Sequence, residues 1–179
     1  MNASSQSTAA DVLNTYDEEQ LARIFCSYGE IKNARRLAGE IVQHRTGGSI
    51  QTTKELIDLL SGMAPKFKEH KYYAQVFQAL RIEVNKELEA LESFLAQAAD
   101  LLKPGGRLVV MSYHSLEDRI VKNFMKKGNV KGQLEKDFYG NPLKPLTEVT
   151  RKPVVPDEIE QKENTRSRSA KLRIAEKNG

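Results

Sequence analysis

The chain is short of the residues that build disulfide-linked and membrane-spanning proteins. It has one cysteine and no tryptophan in 179 residues. The lone Cys26 excludes an internal disulfide and any cysteine-rich metal site. It falls on the apolar side of a helical stretch, so a buried thiol is expected. No run approaches the roughly eighteen apolar residues of a membrane span, and the N-terminus lacks the apolar core of a signal peptide. A cytoplasmic protein with no membrane contact is the expectation.

What is present fits a globular protein with polar ends, at 39% hydrophobic and 29% charged residues. The length allows one domain, or one domain with an insertion. Net charge is +4 with a pI near 9.1, a modest excess that suits a polyanionic partner.

Residues 1–10 are small and polar and read as a flexible arm. Asp17 caps a helix over 18–28, with Leu21, Ile24 and Phe25 at core spacing and Gly29 as its stop. A second helix, 31–44, turns Ile31, Ala34, Leu37, Ala38, Ile41 and Val42 inward. A third starts after Thr52 or Thr53 and carries Leu56, Ile57, Leu59 and Leu60. From 72 to 102 apolar residues recur every three or four positions, from Phe77 and Leu80 to Leu95 and Leu102. A bend near Asn85 is expected in so long a helix.

The chain is organised around the stretch from Pro104-Gly105-Gly106 to Ile120. Residues 108–111 are an unbroken apolar run, which reads as a strand buried on both faces of a sheet. Ser112, Tyr113, His114 and Ser115 then sit where α/β enzymes place their chemistry, beyond the carboxyl end of a strand. From Leu116 the spacing is helical, so strand, polar loop and helix form half of a βαβ unit. Residues 128–145 read as a long surface loop, 146–149 as a short strand and 157–162 as one helical turn. Toward the end Ala170, Leu172 and Ile174 alternate with charged residues. That pattern reads as a half-buried edge strand introduced by Arg166-Ser167-Arg168-Ser169.

Three blocks carry a resemblance. They are Phe77-Gln78-Ala79-Leu80-Arg81-Ile82-Glu83-Val84-Asn85, Ser112-Tyr113-His114-Ser115-Leu116-Glu117-Asp118-Arg119-Ile120-Val121-Lys122, and Asn164-Thr165-Arg166-Ser167-Arg168-Ser169-Ala170-Lys171-Leu172-Arg173. In this order they resemble signature blocks of the bacterial ribosomal RNA small subunit methyltransferase H family, also called MraW. The resemblance covers nearly the whole chain; Thr165 stands where a proline is usual. It implies methyl transfer from S-adenosylmethionine to the exocyclic amine of a cytosine in small-subunit (16S) ribosomal RNA. The implied fold is α/β and mostly helical: a helical insertion (substrate-recognition) domain, 11–84, then the last strands and helix of a Rossmann-like methyltransferase sheet, 85–179. No position matches the family's glycine-rich cofactor loop, so the chain reads as a carboxyl-terminal portion with no cofactor-binding residues of its own.

The chemistry sets the candidate roles. A cytosine amine is a poor nucleophile because its lone pair is conjugated with the ring, so positioning carries most of the catalysis. An acceptor for the amine proton helps, and the base must leave any stack. Ser112, His114 and Asp118 are the catalytic candidates, with Asp118 expected to orient His114. Tyr113 is a candidate stacking surface and Ser115 a candidate pocket residue. Arg81 and Asn85 are candidates to brace the 112–115 loop or touch substrate. Arg166, Arg168, Lys171 and Arg173 are candidates for phosphate. A solvated strand would look the same, and Ser115, Glu117 and Asp118 also suit a helix start. A strand lacking its family neighbours leaves an exposed edge, so the chain is expected either to self-associate through it or to cover it by rearranging a helix. The competing reading is a non-enzymatic RNA-binding or protein-interaction module derived from such an enzyme. A hydrolase built on His114 and Asp118 ranks below both, for want of a nucleophile elbow.

Overall fold

The computed structural model describes residues 7–179, which divide near Glu87 into two units. The chain is mixed α/β, as expected.

The first unit, ending at Glu87, is all helical. Its helices are α1 (Ala9–Thr15), α2 (Glu18–Ser27), α3 (Ala34–Arg45), α4 (Thr53–Ser61) and α5 (Glu69–Asn85). Helix α1 was not anticipated. Residues 1–6 of the expected arm lie outside the described residues, whereas Thr8 opens α1 through a reciprocal capping box with Asp11. Asp17 with Gln20 and Thr52 with Glu55 start α2 and α4 in the same way. Arg45 donates to the carbonyls of Leu13 and Tyr16 at 3.0 and 2.7 Å, satisfying the end of α1. The core is aliphatic, with Leu21, Ile24, Leu37, Ile41 and Leu60 fully enclosed around Phe25. Each such side chain stabilises the unit by about 1.5–3 kcal/mol. Gly29 is required where α2 ends, because a Cβ there would lie 2.9 Å from the Gln75 carbonyl. Cys26 is exposed, contrary to expectation. Leu21, Ile24 and Phe25 take the inward face of α2, and the next residue along points away.

The expected bend near Asn85 is a complete break. Lys86 adopts a left-handed conformation, φ 51°, and closes α5 before α6 (Glu87–Leu101) begins. Beneath it Glu83 is buried, accepting from Tyr16 Oη and Lys86 Nζ, each at 2.7 Å.

The second unit, from Leu88 on, holds β1 (Arg107–Ser112), α7 (Ser115–Lys127), β2 (Leu146–Glu148), α8 (Glu158–Glu163), a 3-10 turn (Thr165–Ser169) and β3 (Lys171–Lys177). The strands form one antiparallel sheet in the order β1-β3-β2. Its core joins Leu95 and Ala99 of α6 to Val121, Phe124 and Met125 of α7 over Leu108, Leu146 and Ala175.

Two strand readings change. Val109 and Met111 are about half exposed while Leu108 and Ser112 are buried, so β1 is covered on one face only. The terminal strand β3 is central, not an edge. Its buried residues are Arg173 and Ala175, whereas Leu172 and Ile174 are half buried. The sheet faces α7 with the opposite set of β3 side chains from the one that alternation suggested, because Arg173 has a carboxylate waiting there.

Candidate functional site

Strand β1 passes into α7 through two residues, Tyr113 and His114. Register sets what lies alongside: Ser112 pairs with Lys171, and its hydroxyl donates to the Lys171 carbonyl at 3.3 Å. The 3-10 turn ends at Ser169, with only Ala170 between it and Lys171. One end of the sheet therefore carries both the polar turn and the Arg-Ser-Arg-Ser segment.

His114 is the N-cap of α7. Its Nδ1 accepts from the Glu117 amide at 3.3 Å, while the Glu117 carboxylate accepts from the amides of Tyr113 and His114 at 2.9 and 3.3 Å. This is a capping box with an imidazole in place of the usual hydroxyl. Because Nδ1 accepts, the neutral ring carries its proton on Nε2. Nε2 is buried 3.2 Å from Glu117 Oε1 and has no other hydrogen-bond partner among the described residues. His114 in this arrangement can donate from Nε2; to accept a proton at Nδ1 it must release the helix cap. Burial raises the Glu117 carboxyl, but His114 and the two amides outweigh it and hold the group below the usual carboxylate range.

Asp118 does not orient His114. It is buried and accepts from Arg173 Nε at 2.7 Å and Nη2 at 3.3 Å, with Lys171 Nζ at 3.2 Å. Burial raises the Asp118 carboxyl, and the Arg173 and Lys171 charges more than reverse that, leaving it below its ordinary value. The pair joins α7 to the central strand, so Arg173 is withdrawn from any phosphate and Lys171 is partly committed.

The other candidates separate by exposure. Tyr113 is 54% exposed. Arg166 and Arg168 are exposed and form no ion pair among the described residues, and Ser167 between them is buried with its hydroxyl unpartnered. Ser115 is the exposed first residue of α7. Arg81 and Asn85 belong to the first unit, where both meet Glu87, at 2.9 and 3.3 Å. Glu117 was missed as a site residue, although its place three residues after His114 is the spacing of a capping box.

Nucleotide-type cofactors are held at a glycine-rich turn from strand to helix, whose free amides face the ligand. The one short strand-to-helix turn among the described residues has no glycine, and the Glu117 carboxylate takes both of its amides. The described residues do not form such a cradle.

Residues 1–178 match the model of the MraW methylase family. Curated relatives include proteins named ribosomal RNA small subunit methyltransferase H. That of Bacteroides thetaiotaomicron is 58% identical over 177 residues, which cover 99% of this chain and 58% of that protein. Those of Cytophaga hutchinsonii and Amoebophilus asiaticus are 54% and 53% identical over the same length, 59% and 57% of their own chains. The chain thus spans under two thirds of the length of these relatives.

Proposed function

From the premise that the chain belongs to the MraW methylase family, we propose that it serves S-adenosylmethionine-dependent methylation of a cytosine exocyclic amine in small-subunit ribosomal RNA. Its share of the work is to hold the RNA and present the base. The observation that carries this is the Ser112↔Lys171 register, which puts a polar turn and a basic segment at one sheet end.

The half-exposed ring of Tyr113 offers a flipped cytosine a stacking face, and Arg166 and Arg168 meet the flanking phosphates. His114 caps α7 and shapes the turn, with the Nε2 proton as its donor group. Ser112 supports the turn through Lys171. Asp118 fixes α7 against β3 and contributes by positioning. Proton removal from the amine is assigned to no described residue of this chain. The unpaired edge of β1 further supports self-association between copies.

The test is transfer of labelled methyl from S-adenosylmethionine to small-subunit ribosomal RNA by the purified chain, with digestion to nucleosides. Label in N4-methylcytidine supports the reading. RNA binding without transfer moves the chain to the non-enzymatic RNA-binding reading. Absence of both overturns the proposal.

A further inference from the structure

Past the carboxyl end of α7, away from the polar turn, residues 129–144 form an excursion that returns to β2 at Leu146, opposite Lys177. Gly128 closes α7 in the left-handed region, φ 84°, and Asn123 Nδ2 donates to the Val130 carbonyl at 3.0 Å. The Asn129 side chain then accepts from the amides of Gly132 and Gln133. The chain reverses at Asp137-Phe138-Tyr139-Gly140-Asn141. The Leu143 amide donates to Glu135 at 2.8 Å, Lys136 bridges Pro142, and the Asp137 amide donates to Asn141 at 2.9 Å. The Asp137 carboxylate accepts from the amides of Tyr139 and Asn141 and from Asn141 Nδ2, at 2.8–2.9 Å.

This well-bonded turn carries two aromatic rings outward. Phe138 is 97% exposed and Tyr139 85% exposed, and the rings meet edge to face with centroids 5.7 Å apart. Scattered surface apolar residues are ordinary, but a turn whose backbone satisfies itself has no structural need of two adjacent aromatics. The surroundings are basic. From the end of α7 through the excursion, residues 126–144 hold five lysines against two carboxylates, a net of +3. Lys131 and Lys136 are exposed and form no ion pair among the described residues.

We propose that the 137–141 turn is a stacking platform for unpaired bases of an RNA strand, whose phosphates lie along the lysines at its base. Exposed π-faces beside unpaired cations suit single-stranded nucleic acid, where bases stack on aromatic rings and lysines track the backbone. A purely apolar protein partner has no use for the lysines, and a duplex keeps its bases out of reach. This inference rests on the reading of the chain as one that acts on ribosomal RNA.

The test is fluorescence anisotropy of the full chain with a short labelled single-stranded RNA, across a salt series. Phe138→Ala and Tyr139→Ala are each expected to weaken binding about tenfold, within the range measured for base–aromatic stacking. Phe138→Tyr should bind as the parent does, and Phe138→Leu should fail as alanine does. Lys131→Glu with Lys136→Glu should flatten the salt dependence by about one phosphate contact each. Thermal unfolding of all these variants should match the parent, because the rings support nothing in the fold. If the parent binds RNA and the Phe138→Ala/Tyr139→Ala variant binds equally well, the platform is wrong and the functional reading stands. Full affinity in Phe138→Leu makes the contact merely apolar and also overturns the platform. If the parent binds no RNA, both fall.

Discussion

Arg173 on the central strand closes on Asp118 of α7 with its Nε 2.7 Å from one carboxylate oxygen, and both residues are more than nine-tenths buried. A buried pair is costly to break from one side, because the surviving charge is left without a partner. Asp118→Ala should therefore destabilise the chain by about 3–5 kcal/mol, read as a lower urea midpoint. The double variant Asp118→Leu/Arg173→Met, which leaves only the half-exposed Lys171 without its partner, should recover most of that loss. Equal losses in the single and double variants would refute the pairing argument.

Acid should reveal the same contact. The Asp118 carboxyl sits below its ordinary value of 3.8 in the folded chain, so the stability it adds is complete above that value. It is lost as pH falls through the folded pKa. Denaturation midpoints taken from about pH 5 down to pH 2 should fall more steeply for the parent than for Asp118→Asn. Glu117 and Glu83 are lowered too, so a residual slope remains in that variant.

Much of the helical architecture was legible because its signals are local. Asp17 and Thr52 sit three residues before Gln20 and Glu55, and the apolar spacing after them fixes the inner faces of α2 and α4. Helix α1 escaped because Thr8 and Asp11 lie in a run of small polar residues that resembles a tail. The sheet was read less well for a different reason. Alternation around Leu172 and Ile174 names a plausible inner face, but the deciding contact, Arg173 with Asp118, joins residues 55 apart in sequence. The apolar run of β1 likewise cannot announce that only one of its faces is covered. Within the candidate site, the position of the 112–115 turn was legible from the strand-loop-helix pattern. The exchange of roles between Asp118 and Glu117 was not, since both come after His114 within one helical turn.

His114 separates capping from chemistry. Asparagine is a good N-cap and alanine a poor one. His114→Asn should keep the melting temperature of the parent, while His114→Ala should lose about 1 kcal/mol. Any methyl transfer or RNA binding that depends on Nε2 donation should fall in both variants. Unchanged function in His114→Asn would reduce the residue to a cap.

The free edge of β1 predicts association. Only β3 pairs with β1 among the described residues, and the exposed side chains of Val109 and Met111 lie on its uncovered face. Such an edge is a template for another strand unless charge blocks it. Sedimentation velocity should show a concentration-dependent dimer or larger species, and Val109→Lys with Met111→Lys should return the chain to monomer. A parent that stays monomeric at all concentrations would exclude self-association.

Gly128 is where α7 must end and the 129–144 excursion begin. It holds φ 84°, and a Cβ there would lie 2.7 Å from the Leu143 carbonyl oxygen and 2.9 Å from the Lys144 Cα. Both neighbours are backbone, so the clash cannot be relieved by turning a side chain. The left-handed conformation alone costs a non-glycine residue about 1–2 kcal/mol. Gly128→Ala should exceed that figure in urea denaturation, because the returning segment must also move. Gly140 offers the control: its φ is 86°, but a Cβ there meets nothing within 4 Å. Gly140→Ala should cost the conformational part only, and the difference between the two variants measures how tightly the returning segment is held against the end of α7. If Gly128→Ala costs no more than Gly140→Ala, that close approach contributes nothing to stability, and the base of the aromatic turn has no fixed anchor at the end of α7.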